Sequence, residues 1–123
     1  MEIEPTIALK EVSPLGQEKE MKKVEKQIFS KEVNDTLKIL LREVGKTGTG
    51  KNNTLEERGG LAGKSGTAQH IEEREAHGWF TGYFPADNPK YAMTIFVEEG
   101  GSSATTALPI FDSIANKILN LYD

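Results

Sequence analysis

The stretch His77-Gly78-Trp79-Phe80-Thr81-Gly82-Tyr83-Phe84-Pro85-Ala86-Asp87-Asn88-Pro89-Lys90-Tyr91-Ala92-Met93-Thr94-Ile95-Phe96-Val97-Glu98 decides how this chain folds. Two runs rich in aromatic and β-branched residues flank a cluster of turn formers, which is how an antiparallel hairpin is written. The pattern predicts strands over residues 78–84 and 91–98, with Asp87-Asn88-Pro89-Lys90 as the turn. In the second strand Tyr91, Met93, Ile95 and Val97 point one way, and Ala92, Thr94 and Phe96 the other. Both faces are largely apolar, so this strand is expected to be central, with something packed on each side. Trp79, Phe80 and Phe84 are assigned to the hairpin core.

The rest of the chain is built outward from that hairpin. Upstream, residues 61–71 suit a strand of small residues. Downstream, residues 100–103 form a glycine- and serine-rich loop. Leu108, Phe111, Ile114, Ala115, Ile118, Leu119 and Tyr122 then recur at helical spacing, with Pro109 tolerated only in the first turn. An earlier helix opens at Ser30, a good N-cap, with Glu32 in its first turn to complement the macrodipole. Its stripe is Val33, Leu37, Leu40, Leu41 and Val44; Gly45 is expected to end it, and residues 46–57 to form a loop. Near the start, residues 5–12 alternate as a short strand that Pro14 and Gly16 break. Residues 17–27, dense in both signs of charge, are expected to be a solvated connection with a turn of helix. The sum is an α+β fold, an antiparallel three- or four-stranded sheet packed by helices. A chain of 123 residues suits one domain, organised as 1–27, 28–58 and 59–123.

Composition narrows the function. A net charge of −4 argues against general affinity for nucleic acid. With no cysteine, neither a disulfide nor a thiolate metal site can form. His70 and His77 have no evident third ligand, so neither a metal nor any other cofactor is expected. No apolar run is long enough to span a bilayer, and Glu2 and Glu4 stand where a signal peptide would be basic.

Two near-copies compete for the chemistry. Gly45-Lys46-Thr47-Gly48-Thr49-Gly50-Lys51-Asn52 imitates a phosphate loop but places Asn52 where the magnesium-binding hydroxyl belongs. A helix also precedes it, where a buried strand is required, so nucleotide binding is set aside. Gly63-Lys64-Ser65-Gly66-Thr67-Ala68 lies instead on a predicted strand directly before the hairpin. A lone K-[ST]-G triplet is a weak signal, because an edge lysine usually serves only solubility.

Its neighbourhood strengthens it. The run from LAGKSGTAQ through HGWFTGYFPADNPKYAMTIFVEEGG to ALPIFDSIANKIL resembles the C-terminal part of the transpeptidase domain of class B penicillin-binding proteins. SKEVNDTLKILLREVGKTGTGKN resembles the helix and loop that precede that strand, so the likeness covers roughly residues 28–121. It implies a partial fold of the penicillin-binding-protein and serine β-lactamase kind. It also implies one wall of a site that acylates a serine with a D-Ala-D-Ala stem peptide or a β-lactam. Lys64 would supply positive charge near the serine and the substrate carboxylate, and the Ser65 and Thr67 hydroxyls would bind that carboxylate. The Thr67 backbone N–H would be an oxyanion donor, and Gly66 would let the substrate backbone lie against the strand. Ser65 stands where threonine is commoner, with the hydroxyl kept.

The departure from the family is equally legible. None of Ser13, Ser30, Ser65, Ser102, Ser103 and Ser113 is followed by lysine three residues on or by asparagine two residues on. The nucleophile motif S-x-x-K and the second motif S-x-N are therefore missing. An oxyanion donor accelerates a reaction only once an attacking atom is positioned against it. The chain alone is thus expected to be inactive, a fragment of a membrane-anchored parent whose catalytic region is extracytoplasmic. A fragment without the helices that carry the first two motifs should expose apolar surface and self-associate. The alternative is a standalone binding or scaffold module without chemistry.

Overall fold

A computed structural model of the chain describes residues 2–3, 10–20, 25–68 and 75–122. Two compact units divide it, Met1–Asp35 and Thr36–Asp123.

In the first unit, strand β1 (Glu2–Ile3) pairs antiparallel with β4 (Glu25–Lys26), and β2 (Lys10–Val12) with β3 (Glu18–Glu20). The β2–β3 turn closes through Gly16 N–H donating to the Ser13 carbonyl at 2.9 Å, with Gly16 at a φ of 82°. Of the charged segment 17–27, residues 18–20 and 25–26 are paired strands and not the solvated connection with a turn of helix expected there; residues 21–24 lie outside the described residues. Local charge density argued for a loop, but the tight Pro14–Gly16 reversal brings a pairing strand alongside, and ladder formation overrides local composition. Of the strand expected over 5–12, its last part is β2, and residues 5–9 lie outside the described residues.

Helix α1 (Lys31–Lys46) starts as expected, the Val33 N–H donating to Ser30 Oγ at 3.3 Å. The boundary between the two units falls inside it. It does not stop at Gly45. The last turn continues to Lys46, and the Thr47 and Gly48 N–H groups close back on the Glu43 carbonyl. Gly45 is instead a point of close packing, because it is buried and a Cβ there would collide with the Leu61 carbonyl oxygen. A glycine lets the helix lie directly on the incoming strand. Of the α1 stripe, Leu41 and Val44 are half-buried, while Leu37 and Leu40 remain exposed, Leu40 at 60%.

The second unit carries the sheet. Strands β5 (Ala62–Ala68), β6 (His77–Phe84) and β7 (Tyr91–Val97) form an antiparallel meander in the order β5-β6-β7. Register pairs Lys64 with Thr81, Ser65 with Phe80, Gly66 with Trp79 and Thr81 with Thr94. The expected central position of β7 is wrong among the described residues: β6 is central and β7 lies at an edge. Apolar residues on both faces misled the assignment. Tyr91, Met93, Ile95 and Val97 pack on the core, whereas Phe96 stays exposed and rests on Trp79 with ring centroids 4.4 Å apart. The central strand is instead the one with Gly78 and Gly82, and a Cβ on Gly82 would strike the Ala62 carbonyl. The hairpin turn forms where expected, Lys90 N–H donating to the Phe84 carbonyl at 3.2 Å across a cis Phe84–Pro85 bond.

Helix α2 (Ala107–Tyr122) covers one face, with Pro109 in its first turn. Phe111 sits edge-on to Phe80 at 4.9 Å and to Phe84 at 5.7 Å, and all three are fully buried with Leu55, Leu61, Ala115 and Leu119. Each buried phenylalanine contributes roughly 1.5–3 kcal/mol of apolar transfer, so this ring cluster anchors the unit. Two expected core residues lie elsewhere: Trp79 is 42% exposed and Tyr122, at the helix end, is exposed. The result is the partial α+β fold that the sequence implied.

Candidate active site

Three side chains and a glycine on β5 were expected to carry the chemistry; among the described residues β5 is an edge strand of the sheet. Lys64, Gly66 and Thr67 are exposed and Ser65 is half-buried. Strand alternation sets Lys64 and Gly66 on the face of Thr81 and Trp79, and Ser65 and Thr67 on the opposite face with Phe80 and Gly78. The four residues are therefore adjacent along one ledge, with hydroxyls and cation on alternate sides.

Lys64 turns back on its own strand, its Nζ donating to the Ser65 carbonyl at 2.8 Å. Beside it lies an open depression of about 270 Å³ lined by Leu41, Gly63, Lys64, Thr81, Tyr83 and Ala92. Thr81 and Thr94 share a hydroxyl–hydroxyl hydrogen bond of 2.8 Å across β6 and β7. Among the described residues a carbon on Gly66 would meet only the Trp79 Cβ, at 3.7 Å.

Sequence reasoning missed two groups. Thr49, in the rejected phosphate-loop copy, has its hydroxyl 3.4 Å from Ser65 Oγ. That copy leaves a helix and is followed only by a short 3-10 turn, Glu56–Arg58, so it has no phosphate-loop architecture, yet it reaches the motif strand. Arg42 is the second. Its guanidinium donates to both carboxylate oxygens of Glu56, at 2.8 and 2.7 Å, and to the Leu61 carbonyl at 3.2 Å. The Glu56 hydrogen bond raises the Arg42 pKa, and the Arg42 hydrogen bond lowers that of Glu56. Nothing in the sequence marked an arginine on a charged helix as anything but solvated; the Gly59-Gly60 pair before Leu61 was the one available hint of a crowded turn.

Of the two histidines, His77 accepts the Glu99 N–H at Nδ1 at 2.8 Å, and His70 lies outside the described residues. Among the described residues no helix is long and apolar enough to cross a membrane.

Residues 2–120 match the family described as the penicillin binding protein transpeptidase domain. The chain is 35% identical over 89 residues to the peptidoglycan D,D-transpeptidase MrdA of Haemophilus influenzae, covering 61% of this chain and 13% of that protein. It is 30% identical over 105 residues to the peptidoglycan D,D-transpeptidase FtsI of Buchnera aphidicola, covering 78% of this chain and 18% of that one. The penicillin-binding protein PBP2 from Helicobacter pylori superposes with a TM-score of 0.66 at 32% identity, over 78% of this chain and 18% of that structure. The chain thus spans less than a fifth of the length of each relative named here.

Proposed function

This chain belongs to the penicillin-binding-protein transpeptidase family, and from that premise we propose that it is the C-terminal part of a class B D,D-transpeptidase that cross-links peptidoglycan stem peptides. One observation carries the reading most directly. The K-S-G triplet lies, among the described residues, on an edge strand with Gly66 exposed, in a chain that matches the family over residues 2–120.

The roles follow from the chemistry. A stem peptide ending in D-Ala-D-Ala, or a β-lactam in its place, lies extended along β5. Lys64 offers positive charge to the attacking serine and the substrate carboxylate, and the Ser65 and Thr67 hydroxyls bind that carboxylate. The Thr67 backbone N–H donates to the oxygen that becomes negative as the serine attacks, a contact of roughly 10²–10³ in rate. The serine and its general base come from the part of the domain that carries S-x-x-K and S-x-N, outside this chain. Apolar surface left open here, at Leu37 and Leu40 of α1 and at Trp79 and Phe96 of the sheet, is where that missing part would pack. The parent is membrane-anchored, with this region outside the cytoplasm.

An antibody to this chain, applied to source-cell membranes labelled with fluorescent penicillin, tests the reading. A labelled band far larger than 13.6 kDa is expected. An unlabelled band at the size of the chain would overturn it and leave a binding module in which Lys64 is an ordinary edge lysine.

A further inference from the structure

The motif strand has a weakness of its own. β5 reads Ala-Gly-Lys-Ser-Gly-Thr-Ala, so beyond the buried Ala62 and Gly63 few of its own side chains lock it against β6. From Lys64 to Ala68 the strand is exposed or half-buried. Glycine-rich, largely polar strands specify register weakly, and a slip of one residue sends every side chain to the opposite face. Such a slip would turn Lys64 to the face that Ser65 and Thr67 now occupy and carry those two to the other. The exposed part of β5, from Lys64 onward, therefore gains from a hold outside the ladder.

One such hold converges on Leu61, the residue before the strand. Leu61 is fully buried, and its carbonyl accepts from Arg42 Nη1 at 3.2 Å. The same guanidinium is forked onto both oxygens of Glu56, and its side chain is only 16% exposed. Glu56 opens the 3-10 turn whose end, Gly59-Gly60, delivers the chain to Leu61. Gly60 sits at a φ of 78°, and a Cβ there would run into the guanidinium. Arg42 thus clasps the turn from Glu56 to Leu61 around a glycine held in the left-handed region. A planar fork makes this geometry, and a lysine cannot reproduce it.

We propose that Arg42, through its fork onto Glu56 and its bond to the Leu61 carbonyl, is the positioning residue that sets the register of β5 and so the placement of Lys64 and the Thr67 amide. It touches no reacting atom. The role rests on the reading of β5 as a transpeptidase wall, and the test separates the two.

In the complete protein that carries this segment, acylation by a fluorescent penicillin is followed to saturation. That gives the binding constant and the acylation rate constant separately, and each rate is taken per site that labels at the end point. Arg42→Lys keeps the charge and loses the fork; Glu56→Gln keeps the arginine and loses the charged acceptor. Both are expected to lower the acylation rate constant about tenfold or more, as small misplacements of catalytic groups do. Penicillin binding should change far less. Hydrogen exchange of the amides of residues 62–68 should quicken in both variants while that of α2 stays unchanged. A purely structural arginine would lower the number of sites that label and leave the rate per site at its wild-type value; that result overturns the proposal. Should Arg42→Lys fail to fold, Glu56→Gln decides alone by the same criterion. If the wild-type protein takes no label, the transpeptidase reading falls and the positioning role with it. If the wild type labels and the variants match it, the positioning role alone falls.

Discussion

The hydroxyl oxygens of Thr49 and Ser65 stand 3.4 Å apart, joining the loop after α1 to the motif strand. A loop that looked like a misplaced phosphate site is thus the neighbour of the residue expected to bind the substrate carboxylate. Exposed neutral hydrogen bonds contribute about 0.5–1.5 kcal/mol net. Thr49→Val is expected to slow penicillin acylation of the complete protein roughly two- to fivefold, because Ser65 loses a partner that orients its hydroxyl. Thr49→Ser should retain the wild-type rate. Stopped-flow labelling distinguishes them, and a Thr49→Val protein as fast as wild type would make the contact incidental.

Arg42 and Glu56 predict a pH dependence with a definite sign. The Arg42 hydrogen bond holds the Glu56 carboxyl below its usual range, so the folded state binds that proton less readily than the unfolded state. The resulting stability is fully present above the unfolded pKa, near pH 4–4.5, and is lost as pH falls through the lower folded value. Glu56 is 41% exposed, so solvent screening keeps the contribution small. Urea unfolding of wild type and Glu56→Gln across pH 3–7 should show a gap between them that narrows on the acid side. A gap that widens toward low pH would contradict the assignment.

Gly60 and Arg42 should be energetically coupled. Gly60→Ala meets two penalties, a left-handed φ of 78° and collision with the guanidinium. The backbone part costs about 1–2 kcal/mol, and the collision adds to it. In an Arg42→Ala background the collision vanishes and only the backbone part remains. The double variant should therefore lose less stability than the sum of the single losses, by about 1 kcal/mol. Strict additivity in denaturant melts would show that the guanidinium swings clear of residue 60.

The isolated chain should be chemically silent and physically sticky. Incubation with penicillin is expected to leave its mass unchanged, because none of its serines stands in an S-x-x-K motif to be acylated against Lys64 and Thr67. Exposed Leu37, Leu40, Trp79 and Phe96 should drive self-association as concentration rises. Mass spectrometry and sedimentation velocity on one preparation address both. A penicillin-sized increment would sink the first expectation, and a monomer at every concentration the second.

The sequence alone determined whatever is local. The β6–β7 hairpin was legible from its turn chemistry, α2 from the spacing of Leu108, Phe111, Ala115 and Leu119, and the start of α1 from Ser30. Lys64, Ser65, Gly66 and Thr67 were legible as a motif because residue identity and order are themselves the signal. Tertiary structure decided the rest. Phe96 made β7 look buried on both faces, and only the sheet order showed it resting on Trp79 at an edge. Gly45 read as a helix stop, and only the approach of Leu61 showed that it is a contact. Residues 18–20 and 25–26 read as part of a solvated connection until their pairing partners were in place. Arg42 meets Glu56 fourteen residues away, and Thr49 meets Ser65 sixteen away. Helical and strand periods, caps and turns are preferences of neighbouring residues and are written where they act. Which strand is central, which glycine is a contact and which arginine is a clasp depend on segments that meet only when the core around Phe111 closes.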